Sequence, residues 1–560
     1  MPSRRQPGRA EIPARQDQLF RRVSARDFLN FLALFWSKSA TIILRGCWTV
    51  RFRLFLLAAS SVFLSATQPV EAADSATASL PLPALVERLT WGITPAELDR
   101  ARQLGAQAYI EAQLRPDPGA ALPAEVQRRI DALSISRLSA QEALIEAYRI
   151  QMAIRGMDEG PAKADARKMA RKLSAARASE TARRITWQAL YSPNQLQQQM
   201  TWFWLNHFNV YAGKGHIGLA LGDYEARTIR PRALGKFRDL LEATMRAPAM
   251  IIYLDNQRNR AGRLNENYAR ELMELHTLGV HAGYTQKDVQ ELARALTGLE
   301  VDYGKRLPRM KRPLKKQVVR EGGFLFNPKA HDYGDKILLG HRIKGAGLAE
   351  IHQIADLLAR HPATARHISL KLAQYFVADR PPEALVEAMA RTFLASDGDI
   401  AETMRTMFAS QAFADSLGQG KFKDPMHYVY SALRLTYSAM PPVARADAVN
   451  GWLSRMGQPL FRRQTPDGYP SAQSDWSGSG QMTTRFDFAR QVALHPQGFY
   501  RNRGDKTKPD LPALPRLAAL YKREKLYATL APATRQAVEQ AKSVQDANLY
   551  LLSSPEFMRR

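Results

Sequence analysis

Residues 265–298 read NENYARELMELHTLGVHAGYTQKDVQELARALTG, and this stretch decides the fold because it marks both ends of two helices. Asn265 is a good N-cap, and Glu266 complements the positive end of the helix dipole. Gly279 is a natural left-handed C-cap. The first helix is therefore predicted to run from about Glu266 to Leu278.

The second helix of this stretch begins at Thr285, which is expected to form a capping box with Asp288. Its apolar residues form one stripe before Gly298, namely Val289, Leu292, Ala293 and Leu296. Together the two segments predict a helical hairpin. A calcium-binding hand is excluded, because the connection from Gly279 to Tyr284 contains no carboxylate.

Helical patterns continue on both sides of the hairpin. Toward the amino end, Thr94 caps a helix in which Pro95 takes the first position and Glu97 completes a capping box. Helical apolar spacing recurs at 144–152, 185–191, 370–376, 385–393, 404–413 and 428–435. Short extended pieces are predicted at 323–326 and 336–339, flanked by Gly and Pro. The expected fold is mainly α, a multi-helix globular protein with few short β-strands.

The composition is that of a large and strongly basic folded protein. The 560 residues are 45% hydrophobic, which is enough for a sizeable core. The single cysteine, Cys47, excludes an intramolecular disulfide and a cysteine-based zinc site, since both need at least two thiols. The formal net charge of +27 attracts polyanions such as nucleic acid, anionic lipid, lipopolysaccharide or acidic polysaccharide.

The amino-terminal region has the order of a secretory signal peptide. Arg51 and Arg53 precede an apolar run at 54–66, and small residues then lead to Ala73. Because a membrane-spanning helix needs roughly 20 apolar residues, cleavage near Ala73 is expected, and a retained anchor is the alternative. The chain is thus divided into an extension with a cleavable signal peptide, residues 1–73, and a helical region, residues 74–560. The mature protein is expected in the periplasm or secreted, with no membrane span.

Residues 1–49 leave two interpretations open. The apolar stretch 28–44, interrupted by Asn30 and Lys38, has the character of an amphipathic helix on a membrane surface. Alternatively, translation starts at Val50, from which an ordinary signal peptide follows. The second interpretation is slightly favoured.

Two strongly basic stretches interrupt the apolar patterns. The first, 155–184, is rich in Ala and predicts a solvated helix or a linker. The second, about 305–320, contains Pro308 and Pro313 and predicts a surface loop. Because Tyr303 is its only aromatic neighbour, an envelope polyanion rather than nucleic acid is the expected partner. The candidate binding residues of this basic insertion are Lys311, Arg312, Lys315 and Lys316.

A carboxylate inside the first hairpin helix is the first candidate for a site. Glu271 falls within the stripe formed by Leu264, Tyr268, Leu272, Leu275 and Leu278. Asn267 and Glu274 flank it, so three polar groups converge where a core is expected. The structural interpretation, which is favoured, is an ion pair with an arginine from the preceding segment, for example Arg227 or Arg230.

His331 and Asp332 form the second candidate, because they lie in a glycine-rich segment where side chains are readily directed into a cleft. Glu271 and these two residues are therefore the candidate catalytic groups. With Glu274 or His207 they would also provide nitrogen and oxygen ligands for zinc, iron or manganese. His207, which lies among aromatic residues, is more readily explained as a core histidine.

The hairpin residues 265–279, 283–289 and 293–298 closely resemble the signature of a bacterial family known as domain of unknown function (DUF) 1800. The resemblance extends to 202–208, 331–336, 339–340, 361–365, 396–400, 456–459 and 551–557. Arg270 lies inside the signature and is a further candidate binding residue beside Asn267 and Glu274. The sequence departs from the family pattern in its longer basic loop and in His276 and His281. The resemblance implies an exported protein and a partner from a neighbouring sulfatase-like or phosphatase-like family.

Two classes of function remain open after this reading. One is a helical binding or assembly factor of the cell envelope, and the absence of any His-Glu-x-x-His, Gly-x-Ser-x-Gly, Walker or dinucleotide motif favours it. The other is a periplasmic hydrolase that uses a carboxylate and a histidine, with a divalent metal as the expected cofactor.

Overall fold

A computed structural model of the chain describes residues 80–501 and 509–560. The signal-peptide prediction, including the run at 54–66 and the cleavage position at Ala73, lies outside the described residues. The described chain divides into two units. One comprises residues 152–170, which are the end of one helix and the start of the next. The other comprises residues 80–151, 171–501 and 509–560.

Helices dominate the described residues, and the predicted mainly α fold is confirmed. The first eight are α1 (Leu82–Leu89), α2 (Pro95–Leu104), α3 (Ala106–Leu114), α4 (Ala124–Asp131), α5 (Ala140–Arg155), α6 (Pro161–Tyr191), α7 (Gln195–His207) and α8 (Ile217–Asp223). The central ones are α9 (Phe237–Met245), α10 (Pro248–Tyr253), α11 (Asn267–Glu271), α12 (Gln286–Ala295), α13 (Arg312–Lys315), α14 (Ala349–Ala359), α15 (Pro362–Phe376) and α16 (Glu383–Ala395). The last are α17 (Ile400–Phe408), α18 (Gln411–Gln419), α19 (Pro425–Thr436), α20 (Ala446–Arg455), α21 (Gln473–Trp476), α22 (Ser479–Leu494), α23 (Leu517–Arg523), α24 (Pro532–Glu539) and α25 (Val544–Ser553).

Within the described residues, five short strands form two small antiparallel sheets. They are β1 (Leu299–Val301), β2 (Val319–Glu321), β3 (Phe324–Phe326), β4 (Lys336–Leu338) and β5 (His341–Ile343). The first sheet has the order β1-β3-β2, and the second pairs β4 with β5 so that Lys336 lies opposite Ile343. Strands β3 and β4 confirm the two predicted extended pieces.

The amino end of α2 confirms half of its predicted capping box. The Thr94 side chain accepts a hydrogen bond from the Glu97 backbone N–H, and Pro95 is the first helical residue. The Glu97 carboxylate does not bond back to the cap. It accepts hydrogen bonds from the Tyr109 hydroxyl at 2.9 Å and from the Gln113 amide at 3.2 Å instead. A packing contact with α3 has replaced the local bond.

The predicted hairpin is present, but its first helix changes character midway. After α11 the backbone forms a π turn over Leu272–His276, and the Leu278 N–H donates to the Met273 carbonyl five residues earlier. Gly279 then adopts a φ of 88°, as its C-cap role predicted. Helix α12 begins with the complete capping box of Thr285 and Asp288. Such π turns are frequent at functional sites, so this one marks a segment for closer inspection.

Both basic stretches are more regular than a loop. Most of 155–184 belongs to α6, and the stretch 305–320 contains the short helix α13 and the start of β2. Among the described residues, no helix combines the length and apolar character that crossing a membrane requires.

Candidate functional site

His331 lies in a buried ion-pair cluster rather than in an open cleft. Its ring Nδ1 is 2.8 Å from the Thr297 carbonyl, and its Nε2 is 2.9 Å from Glu350 Oε1. Glu350 Oε2 accepts a second hydrogen bond from Lys336 Nζ at 2.6 Å. The side chains of His331, Lys336 and Glu350 are all fully buried. This cluster joins β4 to the start of α14.

Asp332 follows His331 in the chain and is only partly buried. Its two carboxylate oxygens accept hydrogen bonds from Arg294 at 2.9 and 3.1 Å. That bidentate pair, despite partial burial, lowers the pKa of Asp332. No hydrogen bond or ion pair among the described residues joins His331 or Asp332 to Glu271, so contact does not assemble these three predicted catalytic groups into one site.

Glu271 is half-buried and makes no ion pair within the described part of the chain. The expected partners are engaged elsewhere, because Arg227 lies 3.7 Å from Asp223 and Arg230 lies 3.0 Å from Glu225. The predicted ion pair of Glu271 with either arginine is therefore wrong. The charges that act on its carboxylate are those of Glu274, Arg270 and Asp467.

The other candidate binding residues of the signature surround Glu271. Asn267 is exposed, and its side-chain amide donates to the Leu254 carbonyl at 3.2 Å. Arg270 donates to Glu266 at 3.1 Å and to Gln286 at 2.8 Å, which ties the two hairpin helices together. Burial first, and then the negative charge of Glu274, raise the pKa of Glu271.

A cluster of three histidines and one lysine lies at the end of the π turn Leu272–His276. We call it the Lys371 centre, and it consists of His207, His276, His367 and Lys371. His207 is the last residue of α7, and His276 is the last residue of the π turn. His367 and Lys371 are four residues apart on α15 and therefore share a face. The ring centroid of His207 is 5.9 Å from that of His276 and 6.2 Å from that of His367.

Hydrogen bonds fix the orientation of the rings in the Lys371 centre. His207 Nε2 is 3.1 Å from the His276 carbonyl, so this nitrogen carries the proton and donates. His207 Nδ1 is then an acceptor, and Lys371 Nζ donates to it at 3.1 Å. The His367 ring packs against Gly279, where an added Cβ would lie 3.1 Å from its Nδ1. Both ring nitrogens of His276 are buried without a hydrogen-bond partner.

Burial sets the protonation of the Lys371 centre. It lowers the pKa of His276 to about 3 and that of His367 to about 4, with Lys371 adding to both effects, and it holds the pKa of His207 well below its usual value. Burial also lowers the pKa of Lys371 to about 8, against the opposing charge of Asp467. The histidines are thus neutral at neutral pH, and Lys371 is the group that titrates there.

The Lys371 centre contains a candidate base, and Glu271 is a candidate acid; the charge of Asp467 acts on both. The Lys371 amine, whose ammonium is only partly exposed, is able to accept a proton or attack an electrophilic carbon. Glu271, with its raised pKa, is able to supply a proton. Among residues 80–501 and 509–560, no group of three or more His, Cys, Asp or Glu side chains is placed to hold a metal ion.

Sequence reasoning interpreted His207 as a core residue and missed the rest of the centre. The structure confirms the burial of His207, which is 3% exposed. His367 and Lys371 gave a usable signal, because a spacing of four residues puts a histidine and a lysine on one helix face. Asp467 gave no such signal, since it is far from Lys371 in the sequence and its charge acts on Lys371 only in the folded protein.

The basic insertion is anchored at both ends and exposed between them. We call residues 305–318 the basic arm. At its start Lys305 Nζ lies 4.2 Å from the ring centroid of Tyr148, and after its end Arg320 pairs with Asp302. The Gln317 amide accepts a hydrogen bond from the Tyr333 hydroxyl at 2.7 Å. The outer cations are exposed and make no ion pair with any described residue, and they are Arg306, Arg309, Lys311, Arg312, Lys315 and Lys316.

The described structure is therefore a helical fold that contains the Lys371 centre and an exposed basic arm. The chain belongs to the family described as "Protein of unknown function (DUF1800)", whose model matches residues 84–559. The resemblance inferred from the hairpin signature is thereby confirmed. No curated protein and no solved structure matches the chain.

Proposed function

We propose that this protein is an exported, helical binding factor of the cell envelope that holds an anionic polymer on its basic arm. The observation that carries the proposal is the set of six exposed cations on the arm that have no acidic partner in the described chain. Unpaired surface cations contribute little to folding, but they bind polyanions by releasing condensed counter-ions.

The anchoring of the arm supports a binding role. The Lys305–Tyr148 contact and the Arg320–Asp302 pair fix its two ends, so the cations between them are presented in a limited range of positions. Less conformational entropy is lost on binding when the charged groups are held in this way. Residues 1–73 carry eleven basic and four acidic side chains, so the mature chain keeps a net charge of +20 out of +27, which adds long-range attraction for the same class of ligand.

Replacing Lys311, Arg312, Lys315 and Lys316 with serine is expected to weaken binding to a linear acidic polysaccharide by roughly 30-fold or more. Because four phosphate-like or carboxylate contacts are lost, the slope of log affinity against log salt should flatten by about 3 to 4 units. The free energy of unfolding should change by less than about 0.5 kcal/mol. Titration with polygalacturonate at several salt concentrations measures the first two quantities.

The matched control removes the same charge elsewhere. Serine at the exposed positions Arg380, Arg391, Arg490 and Lys542, which make no ion pair in the described structure, lowers the net charge equally. Its salt slope should stay close to that of the original protein. Equal slopes for the arm variant and the control would reduce the arm to a solvated insertion.

The Lys371 centre supports a second candidate, a periplasmic hydrolase acting on an envelope or exported polymer. The observation in its favour is the 3.1 Å hydrogen bond from a partly exposed lysine to a buried neutral histidine, with the charge of one carboxylate, Asp467, acting on the lysine. In such an enzyme Lys371 would act as the general base and Glu271 as the general acid. A divalent cofactor and a sulfatase-like partner both stay predictions.

Export is the part of the proposal that processing tests directly. Amino-terminal sequencing of protein from the envelope fraction should give a mature chain beginning just after Ala73, because a cleavable apolar run precedes the small residues there. Blocking initiation at the Val50 codon should abolish production, whereas removal of Met1 should not. A mature chain that retains residues 54–66, or that begins near Ser24, would contradict cleavage at Ala73.

A further inference from the structure

A cavity of about 830 Å³ lies among the amino end of α1, the carboxyl end of α18, the helix α19, the α23 region and the residues that follow α25. Residues 81–84 line it from one end of the described chain, and residues 556, 557, 559 and 560 line it from the other. We call it the amino-end cavity. Its volume is typical of a small-ligand site.

The surface of the amino-end cavity is mainly apolar. Aliphatic side chains supply much of it, including Leu82, Ile93, Leu417, Leu435, Leu526 and Leu530. Two carboxylates of the lining are already paired, because Glu87 lies 2.6 Å from Lys423 and Glu524 is bonded to Arg102 and Arg523. Paired groups of this kind make little demand on a ligand, so the wall favours an occupant that is itself largely apolar.

The hydroxyl of Tyr521 is a polar group of this wall that the chain leaves free. It makes no hydrogen bond with any described residue, and it is reachable from the cavity because Tyr521 is only half-buried. Burial first, and then the negative charges of Glu87 and Glu556, raise the pKa of Tyr521. The hydroxyl therefore keeps its proton and is able to donate to an oxygen of a ligand.

The rim of the amino-end cavity carries cations without acidic partners. Lys525 and Arg559 line the cavity, are exposed and make no ion pair with any described residue. Glu556 accepts hydrogen bonds from the Ala531 N–H at 2.7 Å and from the Thr534 hydroxyl at 3.1 Å. Lys525 also has a φ of 60°, a left-handed conformation that is unfavourable for residues other than glycine and is frequent at ligand sites. The rim therefore favours an anionic group.

The amino-terminal segment of the processed chain is a poor occupant for the cavity. After cleavage at Ala73, residues 74–79 precede the cavity wall, and they read DSATAS. These side chains are small or polar and would bury little apolar area. The run at 54–66 is apolar enough, but cleavage removes it. A ligand from outside the chain is therefore favoured.

We infer that the amino-end cavity binds a fatty acid, an amphiphile with one acyl chain and a carboxylate head group. The acyl chain lies against the aliphatic wall, and the carboxylate faces Tyr521, Lys525 and Arg559. The inference goes beyond the binding of a polymer and uses a different surface. It rests on the proposed function only for export and for cleavage at Ala73.

Calorimetric titration of the processed protein with laurate, octanoate and dodecyltrimethylammonium, each below its micelle concentration, tests the cavity. Laurate is expected to bind. Octanoate should bind at least about 20-fold more weakly, because its shorter chain buries less apolar area. The cationic amphiphile has a chain as long as that of laurate and should bind at least about tenfold more weakly, because its head group is repelled at the rim.

Two cavity variants and two matched controls make the test specific. Tyr521→Phe removes a hydroxyl that has no partner in the described chain, so it should weaken laurate by about fivefold without lowering the melting temperature. Lys525→Gly removes a rim charge and suits the positive φ, so it should weaken laurate by a similar factor, also without lowering the melting temperature. Tyr550→Phe and Lys542→Gly make the same changes at exposed positions outside the cavity and should keep laurate affinity within about twofold.

The arm variant separates this inference from the proposed function. Serine at Lys311, Arg312, Lys315 and Lys316 should leave laurate affinity within about twofold while the polymer salt slope flattens. Absence of laurate binding, equal affinity for all three amphiphiles, or equal affinities of the cavity variants and their controls would overturn the inference even if the polymer result holds. Displacement of laurate by a synthetic peptide of residues 54–66 that binds more tightly would also overturn it, because the cavity would then belong to the signal segment.

Discussion

Glu350→Gln is expected to lower the free energy of unfolding by about 3 to 5 kcal/mol at neutral pH. The carboxylate is fully buried and accepts hydrogen bonds from His331, from Lys336 and from the backbone N–H groups of Ala346 and Gly347. An amide removes the counter-charge and leaves the buried Lys336 ammonium uncompensated. Chemical denaturation of the original and variant proteins at pH 7 measures the difference.

The pH dependence of this loss has a definite sign. Burial raises the pKa of Glu350, but the hydrogen bonds from His331 and Lys336 outweigh it, so the folded-state pKa lies below the ordinary value. A carboxylate with a depressed pKa stabilises the fold above its unfolded pKa of about 4.3, and this stabilisation is lost as the pH falls through the folded-state pKa. The gap between the two proteins should therefore narrow below about pH 4.

Two further variants make this prediction specific. Replacing both Lys336 and Glu350 with Met removes the two charges together and should recover at least about half of the loss, because the Lys336 ammonium is no longer buried without a counter-charge. Glu271→Gln should change stability by less than about 0.5 kcal/mol, since the half-buried Glu271 makes no ion pair within the described structure. Equal losses for Glu350→Gln and Glu271→Gln would contradict the assignment of Glu350 as the buried partner.

Helix ends could be predicted from the sequence because capping is local. Thr285 and Asp288 form their capping box within four residues. Gly279 adopts the left-handed conformation that glycine, having no Cβ, favours at the end of a helix. The π turn before Gly279 could not be predicted in this way. It depends on contacts such as that of His367 with the Leu275 carbonyl, which are made across 92 residues of chain.

The candidate site was harder to predict, because the polar residues of one helix do not show which residues of other segments contact them. The position of Glu271 in an apolar stripe gave a correct warning of an unusual carboxylate but the wrong partner, since Arg230 is held by Glu225 on its own turn. His331 was assigned to a cleft because its neighbours are glycines. The pairing of β4 with β5 and the start of α14 enclose it, and neither is visible in the residues around it.

Lys371 is expected to reach half of its maximal rate of reaction with an acylating reagent at a much lower pH than an exposed lysine does. Burial lowers the pKa of Lys371 to about 8 from an ordinary value of 10.5. The unprotonated fraction near pH 7 is then about 300-fold larger than that of an ordinary lysine. Brief labelling across roughly pH 6 to 10, with the modified peptides quantified by mass spectrometry, gives the half-point for Lys371, and Lys542 serves as the exposed reference.

The charge of Asp467 predicts the direction in which the pKa of Lys371 moves when that charge is removed. Its carboxylate opposes the burial effect and raises the pKa of Lys371, while its own hydrogen bonds with Arg463 and Thr465 stay within an exposed loop. Asp467→Asn should therefore move the labelling half-point of Lys371 to lower pH without unfolding the protein. His207→Phe removes the acceptor of the 3.1 Å hydrogen bond and should alter the same half-point. If the half-point of Lys371 equals that of Lys542, and Asp467→Asn leaves it unchanged, Lys371 is an ordinary lysine that stays protonated at neutral pH, and the hydrolase candidate fails.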